Sequence, residues 1–287
     1  MADFAARSAL PQPLYHIDAF VGDSARGNPA AVVLLDVWPS TSLLQAIAEE
    51  NRLPETAFLV ADSAPGHYAL RWFSPRSEVP LCGHATLATA HVLFHEREPH
   101  AERLFFTTRS GALQAERQAE GIALDFPAAR LRPLPPAPSL RPYLGGEPRA
   151  LYAYGDDGFV LLDDEVAVRA ARVPEETVLA ALGLRGLCVT ARGETADIVS
   201  RFFAPALGIP EDPATGSAHC ALAPYWGERL GRKRLRARQL SERGGELECV
   251  WEGERVQLVG RSRLYLRGAI ESPLPGTDFR ETGSGGD

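Results

Sequence analysis

A short motif occurs twice in this 287-residue chain, starting at position 71 and again at position 201. The first copy is Arg71-Trp-Phe-Ser-Pro75 and the second is Arg201-Phe-Phe-Ala-Pro205. Each copy leads into a loop with an acidic residue, a proline and a glycine, and then into a run of small residues typical of a helix. A five-residue match alone is weak. The same order of motif, loop and helix at a domain-sized separation predicts an internal duplication.

The rest of the chain mixes short strands with few helices. Alternating or apolar runs predict strands over residues 15–21, 30–35, 56–61, 68–73, 150–154, 158–162, 255–259 and 262–267. Helices are predicted over residues 42–50, 84–94 and 174–182, and the second lacks a polar stripe, which indicates burial on nearly all sides. Strands and helices do not alternate regularly, so the pattern favours an α+β fold.

Six prolines within residues 127–142 predict an irregular linker between two domains. We therefore expect an N-terminal half over residues 1–127 and a C-terminal half over residues 128–287, whose last strand returns to the first half. A chain of this length suits two domains of ordinary size.

The composition limits which binding partners and which cellular compartment are expected. The net charge of −7 argues against nucleic acid, and the basic residues between 229 and 238 are interpreted as a solvated face. No window approaches the roughly 20 apolar residues that span a bilayer, and Met1–Leu10 lacks a signal-peptide core. Four widely spaced cysteines predict reduced thiols and a cytoplasmic protein. The final residues 281–287 predict a mobile tail.

Each repeat places a glycine at the start of its small-residue helix: Gly83 before His84, and Gly216 before Ser217. Glycine lets the backbone approach a ligand closely, and a helix N-terminus offers unpaired N–H donors with a positive dipole end. Two such starts would bind a small carboxylated metabolite and stabilise developing charge. The alternative is that His84 and Ser217 are simple helix caps.

Three polar side chains near these turns are candidates for chemistry. His84 can donate to a substrate oxygen or move a proton near neutral pH. Asp212 can bind an amino or hydroxyl group, or it is only a turn residue. Glu55 precedes an apolar strand, and a carboxylate at such a position can act as a general acid/base. The alternative interpretation is that Glu55 is an ordinary solvated surface residue.

Other catalytic patterns are missing from the sequence. It holds no GxGxxG after a strand, no phosphate-binding glycine loop, no HExxH and no GxSxG. The histidines lack metal-ligand spacing, and Cys82-Gly-His84 alone is too short for a typical metal site. We therefore expect neither a cofactor nor a metal.

Four segments together resemble the phenazine-biosynthesis isomerase (PhzF-like) family over nearly the whole chain. They are Gly27-Asn-Pro-Ala-Ala-Val32, Glu55-Thr-Ala-Phe58, Cys82-Gly-His-Ala-Thr86 and Glu211-Asp-Pro-Ala-Thr-Gly-Ser-Ala218. The resemblance implies a fold similar to diaminopimelate epimerase, with two pseudo-symmetric halves, each a sheet wrapped around a central helix, and a site between them. It also implies a homodimer.

The resemblance further implies cofactor-independent movement of a proton between two carbons of a dihydro-hydroxyanthranilate-type substrate. The family's proton-shuttling glutamate matches Glu55. Its substrate-contacting Gly-His pair matches Gly83 and His84, and the acid and serine of its second turn match Asp212 and Ser217. Asn28, in the Gly-Asn-Pro turn, is expected to border the site.

Cys82 departs from the founding phenazine enzymes, which lack a cysteine before their Gly-His pair. Related racemases use two thiols, one from each half, whereas the second turn here holds none and Cys220 falls inside the helix. Two alternatives therefore stay open: an amino-acid epimerase or racemase that uses Cys82 with Glu55, and a non-catalytic metabolite-binding protein. Cys82 is otherwise a buried apolar residue. The segment from Gln239 to Arg243 resembles the family only loosely and carries no functional prediction.

Overall fold

The computed structural model of the protein describes residues 11–271. The predictions made for Met1–Leu10 and for residues 281–287 concern segments outside this range. Within residues 11–271, no helix combines the length and the apolar composition needed to cross a membrane.

The chain divides into two compact units that are both discontinuous in sequence. Among the described residues, unit 1 comprises residues 11–19, Pro29–Arg117 and residues 262–271. Unit 2 comprises Phe20–Asn28 and Gln118–Arg261. These bounds differ from the predicted halves 1–127 and 128–287. The main difference is a strand over Gly121–Pro127, which belongs to unit 2 because it pairs with residues 255–260.

Unit 1 is built mainly from the first seven strands and two helices. Their bounds are β1 (Gln12–Val21), β2 (Asn28–Leu35), α1 (Thr41–Asn51), β3 (Glu55–Ala61), β4 (His67–Phe73), β5 (Glu78–Val79), α2 (Gly83–Val92), β6 (Arg103–Thr108) and β7 (Gly111–Gln118). A single π-helical stretch, Leu93–Arg97, extends α2. Helix α1 packs Leu43, Leu44 and Ile47 against Phe58 and Phe73 of the sheet. Nearly every residue of α2 is buried, which confirms the sequence prediction for this helix.

Unit 2 contains the remaining elements, except for the end of the last strand, which lies in unit 1. They are β8 (Gly121–Pro127), β9 (Arg132–Leu134), β10 (Ala150–Tyr154), β11 (Asp157–Leu161), α3 (Glu165–Ala170), α4 (Glu176–Ala181), β12 (Gly186–Arg192), β13 (Ile198–Ala204), β14 (Ile209–Asp212), α5 (Gly216–Leu230), β15 (Arg234–Gln239), β16 (Gly245–Glu252) and β17 (Arg255–Ile270). Short 3-10 helices lie at Pro138–Tyr143 and Pro205–Leu207. Helix α5 is buried along most of its length.

The two units repeat one pattern of strand pairing. In unit 1, β2 pairs parallel with β3, β3 antiparallel with β4, β4 antiparallel with β5 and parallel with β6, and β6 antiparallel with β7. In unit 2, β11 to β16 follow the same sequence of parallel and antiparallel pairs. Helices α2 and α5 occupy the same place in this order, between β5 and β6 and between β14 and β15. The duplication seen in the motif is therefore a duplication of the fold.

The prediction of a linker over residues 127–142 was wrong. Strand β9 pairs antiparallel with β10, and Leu134, Ala137 and Leu140 pack on the hydrophobic core of unit 2. Prolines are tolerated because β9 is only three residues long and the following turn is a 3-10 helix with proline at its start. This proline-rich stretch is thus part of unit 2.

Further elements differ from expectation, and strands β6 to β8 and β12 to β16 were not predicted at all. The strands predicted over residues 255–259 and 262–267 are one continuous strand, β17, whose first part pairs with β16 and β8 in unit 2. Its last part lies in unit 1, where Arg263 contacts Asp18 of β1. The six-residue helix α3 was not predicted either.

Candidate active site

The duplicated arginines make the same ion pair in both units. In unit 1, Arg71 donates from Nε and Nη2 to the two carboxylate oxygens of Glu78 over 2.8 and 2.9 Å. In unit 2, Arg201 donates in the same way to Glu211 over 2.7 and 2.8 Å. Each guanidinium also lies over the ring two residues further on, at Phe73 and Phe203. The sequence motif therefore encodes a bidentate clamp that fixes the strand leading into each helix.

The residues at the cap positions of α2 and α5 are Cys82 and Thr215. Both have extended backbones, and neither side chain makes a capping hydrogen bond to its helix. His84 and Ser217 are the second residues of their helices, so the alternative in which they act as caps is wrong. The positive end of each helix dipole is therefore not compensated by a capping side chain.

A second side-chain contact is shared by the two helix starts. Thr86, four residues after Cys82, donates its hydroxyl to the Cys82 carbonyl over 2.6 Å. His219, four residues after Thr215, bonds through Nδ1 to the Thr215 carbonyl over 2.8 Å. These contacts hold the last extended peptide against the first turn of each helix.

In unit 1, the sequence-predicted residues Glu55, Cys82 and His84 lie together. Glu55 opens β3, directly after Pro54, which cannot continue helix α1. Its Oε2 lies 3.0 Å from Nε2 of His84, and the Cys82 Sγ lies 3.5 Å from Nδ1 of the same ring. The Glu55 side chain is 20% exposed and that of His84 only 6%. The carboxylate is therefore the part of this trio that solvent or a substrate reaches first.

Electrostatics within this trio favour the protonated form of His84. Burial alone would lower the pKa of His84, but the charges of Cys82 and Glu55 and hydrogen bonds with both groups raise it well above its usual value. Burial raises the pKa of the Cys82 thiol, and the negative charge of Glu55 raises it further. A protonated His84 beside Glu55 can donate a hydrogen bond to an oxygen that gains charge.

In unit 2, Asp212 is held inside a hydrogen-bond network. Its Oδ1 accepts from Asn28 Nδ2 over 2.7 Å, and its Oδ2 accepts from the Thr215 hydroxyl over 2.6 Å. Asn28 also donates to the Ala214 carbonyl over 3.0 Å. Both predicted residues therefore shape the loop that leads into α5. Gly216 and Ser217 follow directly as the first two residues of that helix, and Ser217 is exposed.

Sequence reasoning missed the role of Gln239 in this network. Gln239 donates to the Asp212 carbonyl over 2.6 Å and to the Thr215 hydroxyl over 3.0 Å, and its Oε1 accepts from the Thr215 amide over 2.8 Å. Nearby, Arg243 donates through Nε to the carbonyl of Gly27 over 2.8 Å. The loose family resemblance of the segment from Gln239 to Arg243 was the one signal for these residues.

Cys220 does not take the place of a second catalytic thiol in unit 2. It lies five residues after the cap residue Thr215, and burial raises its pKa to about 12. The position equivalent to Cys82 is that of Thr215 itself. The sequence argument against a two-thiol racemase is consistent with this placement.

The comparisons with known proteins agree with this fold and these motifs. The model of the phenazine biosynthesis-like protein family (PhzC-PhzF) matches residues 17–268. An uncharacterized isomerase of Pseudomonas aeruginosa is 49% identical over 256 residues, which cover 89% of this chain and 97% of the relative. Phenazine biosynthesis-like domain-containing protein 1 of Mus musculus is 39% identical over 293 residues, covering 90% and 98%. The chain therefore belongs to the phenazine biosynthesis-like (PhzC-PhzF) family.

Solved structures support the same assignment. The crystal structure of a phenazine biosynthesis PhzF-family protein from Enterococcus faecalis matches with a TM-score of 0.85 at 44% identity, covering 91% of this chain and 99% of that one. A probable proline racemase from Agrobacterium radiobacter, 14% identical, shares the fold with a TM-score of 0.61. The predicted α+β fold with two related halves is confirmed, and the protein is an isomerase of this family.

Proposed function

We propose that the protein is a cofactor-independent isomerase that moves a proton between carbon atoms of a small carboxylated metabolite, with Glu55 as the acid/base. The observation that carries this proposal is the 3.0 Å contact between the half-buried Glu55 carboxylate and the buried His84 ring. A general base must be positioned and partly desolvated, and a second group must orient it. Glu55 and His84 meet both requirements.

The proposed reaction has two proton transfers. Glu55 takes a proton from a substrate C–H, and the electron pair left behind delocalises onto a neighbouring carbonyl or carboxylate. His84 donates a hydrogen bond to the oxygen that gains charge. Glu55 then returns the proton to a different carbon, so that the product is an isomer and the enzyme regains its starting state.

Anionic groups of the substrate would be bound by backbone donors. The amides of Gly83 and His84 open α2 without a side-chain cap, and the positive end of the helix dipole favours a carboxylate there. Gly216, Ser217, Asp212 and Asn28 stay predictions as substrate-binding residues, and the polar network of unit 2 supports a role for Asp212 and Asn28 in shaping their loop. The homodimer and the cytoplasmic location also stay predictions.

A screen of carboxylated metabolites in heavy water, read by mass spectrometry for deuterium uptake, tests this proposal. We expect uptake by the wild-type protein on at least one compound and a loss of roughly 100-fold or more in Glu55→Gln, because general acid/base groups contribute about 10²–10⁴-fold. Glu96→Gln is the matched control. Glu96 also lies in unit 1, is ion-paired to Arg267 and has a side chain 24% exposed, so its variant should exchange normally.

Three outcomes would contradict the assignment. Undiminished exchange in Glu55→Gln would remove the proposed role of Glu55. Loss of exchange in Cys82→Ser, with Glu55→Gln still active, would instead favour the epimerase or racemase reading. If metabolites bind but none exchanges a C–H with solvent, the non-catalytic reading holds.

A further inference from the structure

We propose that Glu55, Cys82 and His84 form a binding site for a borderline-soft divalent metal ion, with Zn²⁺ as the ion that fits best, and that this ion inhibits the enzyme. In the sequence, Cys82 and His84 lie two residues apart, and two donors alone are too few for a metal site. The fold brings in a third donor, Glu55, from a different strand. One carboxylate oxygen, one ring nitrogen and the thiol sulfur all lie within 4.8 Å of one another.

The donor distances can be compared with those around a tetrahedral ion. Zinc bonds of about 2.0–2.1 Å to nitrogen or oxygen and about 2.3 Å to sulfur place neighbouring donors roughly 3.4–3.6 Å apart. Glu55 Oε2 lies 3.0 Å from His84 Nε2, and the Cys82 sulfur lies 3.5 and 3.9 Å from the two ring nitrogens. Because the sulfur is at similar distances from both nitrogens, the Cys82 side chain or the His84 ring would rotate to direct the sulfur and one nitrogen at the same ion.

The chemistry of the three donors selects the metal class. Thiolate and imidazole favour Zn²⁺ and its Co²⁺ analogue, whereas Mg²⁺ and Ca²⁺ require an oxygen-rich shell. Three protein donors leave a fourth position for water, as in zinc sites that are not purely structural. The exposed fifth of the Glu55 side chain gives the ion a route from solvent.

Metal binding has a direct consequence for activity. An ion held by the Glu55 carboxylate occupies the lone pair that would remove the substrate proton, and it fixes the His84 ring. This inhibition rests on the proposed function of Glu55, whereas metal binding itself does not. Within residues 11–271 no second cluster of three His, Cys, Asp or Glu donors is close enough to hold an ion, so one site per chain is expected.

The test is titration of the purified, reduced protein with Co²⁺ and then Zn²⁺, followed by ultraviolet absorption and calorimetry. We expect one equivalent of Co²⁺ to give a thiolate-to-cobalt charge-transfer band that Zn²⁺ displaces. Cys82→Ser should lose the band, and Glu55→Gln should weaken binding by roughly 100-fold or more, since even outer-shell changes typically cost 10–100-fold. Cys220→Ser is the matched control, because Cys82 and Cys220 are both 7% exposed; its band should persist.

The outcomes separate this proposal from the proposed reaction. No charge-transfer band in the wild-type protein, or a band that survives in Cys82→Ser, overturns the metal site.

If an exchanging substrate is found, one equivalent of Zn²⁺ should slow exchange at least about 10-fold, reversibly with a chelator, and Cys82→Ser should be less sensitive. If the metal binds to these three residues without slowing exchange, the proposed inhibition is wrong but the proposed metal site stands. Absence of any exchanging substrate would count against the proposed function only, since the absorption band is measured without one.

Discussion

The loops that lead into α2 and α5 share a bidentate Arg–Glu pair, an extended cap residue and a side chain bonded to the cap carbonyl, yet they hold different chemistry. At α2, the groups next to the helix start are Glu55, Cys82 and His84, all of which can change protonation. At α5, Asp212 and its amide and hydroxyl neighbours form a network of fixed donors and acceptors. The comparison indicates that the duplicated scaffold was kept while one copy gathered titratable side chains and the other a hydrogen-bond network.

The two Arg–Glu pairs are alike in geometry but differ in their surroundings. Replacing the arginine should therefore lower the free energy of unfolding by different amounts in the two units. Removing one partner of a buried pair leaves a charge without compensation. Glu78 has a second partner in Arg109, while Arg201 also donates to the backbone carbonyls of Arg169 and Ala171. We expect Arg201→Met to lower the free energy of unfolding by about 3 kcal/mol and Arg71→Met by about 1–2 kcal/mol.

Urea unfolding of both variants at neutral pH measures these losses. The pair variants Arg201→Met/Glu211→Gln and Arg71→Met/Glu78→Gln serve as controls, because removing both charges should recover part of each loss. Equal losses in the two single variants would show that the additional contacts contribute nothing.

The buried histidines predict opposite responses to pH in the two units. Burial lowers the pKa of His219 to about 4, so between about pH 6.5 and pH 4 the unfolded chain binds a proton that the folded one does not. Stability from a neutral His219 is therefore present above pH 6.5 and falls with decreasing pH, by about 2–3 kcal/mol at pH 4.5. His84 has a raised pKa, so its contribution is complete below about pH 6.5 and is lost as pH rises through its folded-state value.

Unfolding free energies at pH 9.0, 7.0, 5.5 and 4.5 for wild type, His219→Gln and His84→Gln check these signs. The advantage of wild type over His219→Gln should shrink as pH falls. Its advantage over His84→Gln should shrink as pH rises above neutrality. His91, whose pKa burial lowers to about 4, is unchanged in both variants and cancels from the comparison. Parallel pH profiles for wild type and both variants would refute the assigned protonation states.

The rigidity of the α5 loop also depends on close packing against a glycine. A Cβ on Gly245 would lie 2.5 Å from the Cβ of Ala214, inside the loop. We expect Gly245→Ala to cost about 1–2 kcal/mol through overpacking and to speed hydrogen exchange of the Thr215 amide, which is bonded to Gln239.

The double variant Ala214→Gly/Gly245→Ala restores the space and should return slow exchange at Thr215. The Glu55–His84 contact belongs to unit 1, so His84 ring chemical shifts should stay unchanged in Gly245→Ala. If the Thr215 amide still exchanges fast in the double variant, the change at position 245 acts through strand β16 and not through its contact with residue 214.

Local patterns predicted much of the fold because the determining residues are near one another in sequence. The repeated motif predicted the duplication, and the run of small apolar residues predicted the burial of α2. The proline-rich stretch was wrongly predicted to be a linker, because the pairing of β9 with β10 depends on residues beyond that stretch. The candidate site was harder to predict because its contacts also join residues that are distant in sequence. Glu55 and His84 were candidates from their positions near the turns, and the family resemblance then singled out Glu55. Gln239 bonds across 24 positions to Thr215 with no local signal.

Strand β17 runs from unit 2 into unit 1 without interruption, and this sets the order in which the chain can complete its parts during synthesis. All segments of unit 2 have been translated once Arg261 is added, whereas unit 1 still lacks the residues that pair with β1. The unit that carries Glu55 is begun first and finished last. A chain truncated after Arg261 would therefore contain every segment of unit 2 but not every segment of unit 1, and no single cut in the gene yields either unit alone.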